Sequence, residues 1–139
     1  MNQNLGNFKN IKVGTFTIVY PAHNTHRTIQ VEEGDGGFSG RKILSIMNGT
    51  DNETSFFRFG HVNPDGTIKF WLSRTGTWDD ERKERVARAF AKIAASEQAA
   101  FDAGLAYAKQ SGKCFRCNRK LTTPKSLEAG IGPECLKAF

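Results

Sequence analysis

The sequence predicts an α+β fold. An antiparallel β meander is expected over residues 1–76, one long or two shorter helices packed on the sheet over 77–112, and a small module with short helices over 113–139. Three observations carry this reading. Short alternating runs rich in β-branched residues, punctuated by Gly, Pro and Asn, fill the first half. After Thr77 the apolar residues recur at helical spacing instead. All three cysteines, Cys114, Cys117 and Cys135, fall in the last stretch.

The first strand is expected over 11–20. Phe16, Ile18 and Tyr20 share one face, Val13, Thr15, Thr17 and Val19 the other, and Pro21, which has no amide to donate, ends it. The second runs over 26–33, alternating Thr28 and Gln30 with Ile29 and Val31, into the turn-forming Gly34-Asp35-Gly36-Gly37. The apolar run 43–47 is too short for its period to separate a strand from one helical turn, and Asn48-Gly49 closes it. Runs 54–62 and 67–72 flank Asn63-Pro64-Asp65-Gly66, a hairpin signal. Phe57 and Phe59 then share one face of the first hairpin strand, and Ile68, Phe70 and Leu72 one face of the second.

Thr77 is the expected N-cap of the helical region, because Asp80 follows three residues on and Asp79, Asp80 and Glu81 crowd a first turn whose dipole favours negative charge. Val86, Phe90, Ile93, Ala94, Phe101, Leu105 and Ala108 mark its apolar face. Unbroken over 78–110, such a helix would be roughly 50 Å long, more than a domain of this size is wide. A break is therefore expected near Ser96, and Gly112 should close the second helix in the left-handed conformation. Arg82, Lys83, Arg85, Arg88 and Lys92 interleave with Asp79, Glu81 and Glu84 and read as a salt-paired, solvated face.

The chain has 139 residues, 20 Lys+Arg against 14 Asp+Glu, a formal charge of +6 and a pI near 9.4. Eleven Phe, two Trp and two Tyr supply enough apolar bulk for a core, which excludes wholesale disorder. No run approaches the roughly 18 apolar residues of a membrane span, and residues 1–10 lack the pattern of an export signal. A soluble, cytoplasmic protein is expected. Its charge is uneven: residues 1–108 carry 13 basic and 12 acidic side chains, whereas 109–139 carry seven basic ones against Glu128 and Glu134, a net of +5.

An odd cysteine count in an unexported chain argues against a disulfide framework and for metal binding or free thiols. Cys114-Phe115-Arg116-Cys117 is a C-x2-C knuckle, which lets two sulfurs face one ion, and Cys135 follows after 17 residues, a zinc-ribbon spacing. Gly132 can turn the chain and Pro133 suits the first helical position, so Cys135 falls in a first turn, where amide dipoles favour a thiolate. Thr123-Pro124 repeats that logic for a short helix over 124–129, ended by Gly130. Zn2+ is the expected cofactor, with Cys114, Cys117 and Cys135 as ligands. Candidates for a fourth are His23, His26, His61, Ser126, Glu134, the terminal carboxylate of Phe139, or water. Zinc with three thiolates carries −1, so the metallated tail would hold about +4.

The same residues carry a resemblance. Cys114, Cys117, Arg119, Leu121, Thr122, Pro124, Ser126, Gly130, Ile131, Gly132, Pro133 and Cys135 match C-x2-C-G-R-x-L-T-x-P-x-S-x3-G-I-G-P-x-C, the pattern of a small zinc-finger-like module of phage, plasmid and bacterial proteins, a domain family of unknown function. Asn118 stands where the pattern has Gly, and Asn also tolerates positive φ. Upstream, residues 48–53 with Phe59, Gly66 and Trp71 are similar to a β-rich region that accompanies the module in some phage proteins. The resemblance implies a metal-binding accessory protein of a mobile element, in the host cytoplasm if phage-encoded, and no established activity.

Two functional expectations follow. One is nucleic-acid binding, DNA or RNA, through Lys113, Arg116, Arg119, Lys120 and Lys125 on or beside the knuckle, with Phe115 stacking on a base if exposed. Gly130-Ile131-Gly132 also has the shape of a helix-hairpin-helix turn, yet too few residues follow for that motif's second helix, so the glycines are read first as metal-loop geometry. The other is a protein-binding inhibitor or modulator of a host enzyme such as a polymerase, nuclease or defence complex, with a host or phage protein as partner, consistent with the aromatics Phe56, Phe57, Phe59, Phe70 and Trp71, which otherwise belong in the core. Enzyme readings fail on composition. Gly34–Arg41 lacks the glycine spacing and Lys of a phosphate loop, His23-Asn24-Thr25-His26 has no supporting carboxylate, and no His-x-Glu precedes the cysteines as in zinc deaminases. Without a metal, the thiols would be candidates for redox chemistry.

Overall fold

The structure, a computed structural model, describes residues 7–23, 25–47 and 56–139. The Asn48-Gly49 turn and residues 50–55 lie outside the described residues, as does the side chain of His23. Five strands, β1 (Gly14–Tyr20), β2 (Thr25–Glu33), β3 (Lys42–Met47), β4 (Phe56–Val62) and β5 (Ile68–Phe70), form an antiparallel meander in sequence order. The short 43–47 run is a strand because pairing on both sides decides what its period could not. One inward row, Phe16–Ile29–Ile46–Phe57, crosses four strands, and between Leu44 and Ser45 the register shifts so that Gly60 aligns with Leu44. Phe59 is the extra residue of that bulge, and it is wholly buried. The opposite face is polar: Thr17 and Thr28 share a 2.9 Å hydrogen bond, and Gln30 donates to Thr15 at 3.1 Å.

Two positions at the sheet-to-helix junction differ from expectation. Leu72 does not extend β5; it begins the single turn α1 (Leu72–Thr75) and is 79% exposed. The Trp71 carbonyl accepts from the amides of Arg74 and Thr75 and from the Thr75 hydroxyl, which starts a helical turn one residue early. The cap of α2 (Asp80–Ala94) is Asp79, whose carboxylate accepts from the Arg82 amide at 2.8 Å, rather than Thr77. Trp78 is buried against Phe59, and that anchor places Asp79 at the helix entrance. The aromatics also divide. Phe57, Phe59 and Phe70 join the core, while the Trp71 indole donates to His61 Nδ1 and its ring meets Phe38.

The break falls at Ser96, whose hydroxyl accepts from the Ala99 amide and caps α3 (Glu97–Ser111). Gly112 closes α3 at φ 73°. α2 contributes Val86, Phe90 and Ile93 to the core, whereas the buried side of α3 is Tyr107 with Ala100, Ala103, Gly104 and Ala108, small residues that let the helix pack closely on β1. Two short helices, α4 (Pro124–Ala129) and α5 (Pro133–Ala138), end the fold. One apolar cluster runs from the sheet through α2 and α3 to Cys114, Phe115, Leu121 and Ile131, so the cysteine segment shares the body's core. Among the described residues, no helix is long and apolar enough to cross a membrane.

Candidate metal centre

After Gly112 the chain reverses into a tight loop. Lys113 and Lys120 form an antiparallel bridge, the Cys114 amide donates to the Arg119 carbonyl at 2.8 Å, and the Asn118 amide returns to the Cys114 carbonyl at 2.8 Å. Closing this loop needs a left-handed residue, and Asn118 supplies it at φ 66°. Its side chain has a second task that sequence reasoning missed: Asn118 Oδ1 accepts from the Tyr107 hydroxyl at 2.6 Å, tying the knuckle to α3.

Phe115, between the two knuckle cysteines, corrects an expectation. It is 0% exposed and meets the rings of Phe16, Phe101 and Phe139 at 6.0, 5.4 and 5.1 Å, so it cannot stack on a nucleic-acid base. The backbone pulls the same way, because the Phe115 carbonyl accepts from the Thr15 amide and its amide donates to the Gly130 carbonyl at 3.1 Å. Room for the ring comes from Gly104, where a Cβ would stand 2.4 Å from Phe115 Cδ1. The signal was a glycine inside an otherwise helical run, one turn before Ala108.

The third cysteine arrives through α4 and α5. Thr123 Oγ1 accepts from the Ser126 amide at 3.2 Å, Pro124 takes the first helical position, and Gly130 ends α4 at φ 75°. A Cβ on Gly130 would also lie 2.8 Å from Leu105 Cδ1, so left-handed backbone and close approach both require glycine there. The Gly132 amide points at Cys114 Sγ, 3.5 Å away. That contact favours metal-loop geometry over phosphate contact for the Gly130–Gly132 turn. Pro133 then opens α5 and sets Cys135 in its first turn.

The sulfurs of Cys114, Cys117 and Cys135 all lie within 4.8 Å of one another, and none is in a disulfide. Tetrahedral zinc with Zn–S distances near 2.3 Å holds its sulfurs roughly 3.8 Å apart, so modest side-chain adjustment fits them around one ion. Their electrostatics are unequal, and Cys135 departs from the expectation that its helix turn favours a thiolate. Burial pushes the Cys114 thiol up, but the amides of Gly132, Cys117 and Arg116 favour its thiolate and leave it below the ordinary value. Cys135 is pushed up to about 11, by burial first and then by its hydrogen bond with Cys117, against the lowering effect of Arg116. The two thiols are thus shifted in opposite directions, and a bound cation would favour the thiolate of both. The Arg116 guanidinium sits 4.0 Å from Cys135 Sγ.

Among the described residues no His, Asp or Glu atom joins the three sulfurs. His61 is occupied by Trp71, and His26 borders a hollow with Thr17 and Gln110 away from the cysteines. Glu134 is exposed on α5, the Phe139 main-chain oxygen accepts from Lys12 at 3.0 Å, and Ser126 is placed by the Thr123 cap of α4. Of the basic residues, Arg119, Lys120 and Lys125 are exposed, while Lys113 and Arg116 are half-buried. Lys113 and Lys120 border an open groove of about 770 Å³ beside the knuckle, with Asn118 and Leu127, and no acidic side chain is among its described lining residues.

Residues 104–139, about a quarter of the chain, match the model of a family of unknown function (DUF6011). The match begins at Gly104, the residue that admits the Phe115 ring, and so includes the end of α3 along with the knuckle. No curated protein and no solved structure matches the chain.

Proposed function

We propose that this chain is a non-enzymatic, zinc-binding accessory protein of a mobile element, which engages nucleic acid through the basic surface of its C-terminal module. Zinc suits a site of three thiols and no carboxylate, with water as fourth ligand, since soft thiolates select zinc or iron–sulfur clusters over hard cations. The observation that carries the nucleic-acid reading is the groove beside the knuckle. Lys113 and Lys120 are held side by side on its wall by a backbone bridge, and Arg119 is exposed on the same loop. A metal-stiffened loop that presents cations in fixed positions loses little side-chain freedom on meeting phosphates.

The test has two parts. Elemental analysis of purified protein is expected to give about one zinc per chain; no metal, or an iron–sulfur absorbance, would contradict the assignment. Substituting Arg119, Lys120 and Lys125 by Ala is expected to weaken DNA or RNA binding at low salt, and unchanged affinity would contradict the nucleic-acid reading. A protein partner, host or phage, is the second reading. It is favoured by Leu127 and Leu136, 43% and 52% exposed on α4 and α5. Partners that stay bound to the purified protein after nuclease treatment would favour it.

A further inference from the structure

A second basic region lies on the other side of Arg116, built from residues far from the module in sequence. Phe8 and Ile11 are buried and pin the segment leading into β1: the Phe8 amide donates to the Gly66 carbonyl, and the Ile11 amide to the Phe8 carbonyl. This spacing keeps Lys9, Asn10 and Lys12 at the rim. Across from them, Arg41 leads into β3 and Lys42 opens it, fixed where the Gly34 amide donates to the Arg41 carbonyl and the Arg41 amide to the Phe38 carbonyl. The Lys42 ammonium donates to the Ile11 carbonyl, and the Lys12 ammonium to the Phe139 oxygen.

Two hollows of about 390 and 410 Å³ result. Lys9, Arg41 and Lys42 border the first, Lys12, Lys42 and Arg116 the second, and Asn10 and Lys42 line both, so the two hollows lie side by side along one cationic groove. Glu33, opposite Lys42 in the β2–β3 register, is the one acidic side chain among the described lining residues; Phe139 adds its terminal carboxylate, which meets Lys12, and the exposed Glu97 meets Lys12 at 3.5 Å. Five cations therefore share a groove with one acidic side chain and the Phe139 carboxylate, and four of them come from the nearly neutral part of the chain. A cleft lined by one sign of charge concentrates the opposite sign. Two cationic hollows in series suit repeating phosphates better than a single carboxylate. Phe139, the ring on the wall, is engaged by Phe101, Phe115 and Lys12, which leaves contacts to the backbone as the main mode.

We propose that this groove carries the phosphate backbone of a nucleic-acid strand from the metal centre across the N-terminal segment and the start of β3. Arg116 and Lys12 hold one phosphate, Lys9 and Arg41 the next, with Lys42 between them. The inference rests on the nucleic-acid reading of the module and adds a path for the strand and a binding mode that is tolerant of sequence.

The test is anisotropy of fluorescein-labelled oligo(dT), about 20 nucleotides long, with the zinc-loaded full chain over about 50–200 mM salt. It compares the wild type with Lys9→Gln/Arg41→Gln, two exposed positions, and with Arg119→Ala/Lys120→Ala/Lys125→Ala. Unchanged zinc content and far-ultraviolet circular dichroism verify that each variant is folded. The Lys9/Arg41 pair is expected to bind about tenfold more weakly at the lowest salt. Its log–log salt slope should fall by about 1.4, at ~0.7 for each single-strand phosphate that is no longer neutralised. Weakening by the module variant with no change in the Lys9/Arg41 variant overturns the groove and leaves the module reading standing. The reverse result supports the groove and overturns the module reading, and a wild type that does not bind overturns both.

Discussion

The sheet-and-helix body and the cysteine module reach order by different means. In the body, Phe16, Ile29, Leu44, Phe59, Val86 and Phe90 disappear into a core that two layers cover, and net charge over residues 1–108 is +1. In the module, α4 and α5 are six residues each and bury no residue completely, and the net charge over 109–139 is +5. Helices that short do not persist on their own. Two attachments compensate: the Phe115 plug, which makes the module's interior part of the body's, and the three sulfurs, which join the knuckle to α5. A module can thus be heavily charged and poor in core when its position is fixed at a few strong points.

The largest expected effect tests whether the plug belongs to both regions. Phe115→Ala should destabilise the whole protein by about 3–5 kcal/mol, seen as a drop in the thermal midpoint of the sheet signal. A midpoint unchanged for the body would mean that the module is a separable appendage. Gly104→Ala places a methyl against the same ring. Overpacking of about 1–3 kcal/mol should exceed the roughly 1 kcal/mol by which Ala favours a helix, giving a net loss. Phe115→Leu in the Gly104→Ala background should recover part of it, and a double-mutant cycle measures that coupling.

The sulfur attachment is probed by pH. In the metal-free protein Cys135 is pushed up to about 11, so its proton is still present across roughly pH 7–9 and zinc must displace it. Zinc affinity, from competition with a chromophoric chelator, should therefore rise at least about tenfold per pH unit in that window. The metal-free protein should show the opposite trend. A folded-state value above the unfolded one of about 8.5 gives stability present below that pH and lost as pH rises towards 11, so the apo midpoint should fall in alkali. The smallest effect concerns the body alone. Asp79→Ala removes the α2 cap and should lower stability by about 1 kcal/mol in chemical denaturation, leaving zinc content unchanged.

Much of this architecture was legible in the residues because the signals were local. Alternation placed Phe16, Ile29 and Val31 inward, Ser96 and Gly112 bounded α3, and Thr123-Pro124 and Gly132-Pro133 started the two short helices. The cysteine spacing pointed to one site, and the three sulfurs do converge. What stayed hidden depended on distant partners. Phe115, beside Arg116, looked available for stacking, and only the space above Gly104 reveals that it turns inward. Leu72 fitted the alternation of β5 but left the sheet because the Trp71 carbonyl gathered three donors. Thr77 was the expected cap, and the burial of Trp78 moves the helix entrance to Asp79. Lys9, Lys12, Arg41 and Lys42 drew no notice as a group, since nothing along the chain associates them with Arg116.

The central claim, that a metal holds a charged module to a self-supporting body, is tested most directly by hydrogen exchange before and after chelation of the purified protein. The account predicts about one zinc per chain. On its removal, amide exchange should accelerate at Cys117–Arg119 and through α5, while protection stays unchanged across β1–β4, α2 and α3. Equal protection of the module with and without chelator would contradict it, as would protein that binds no metal.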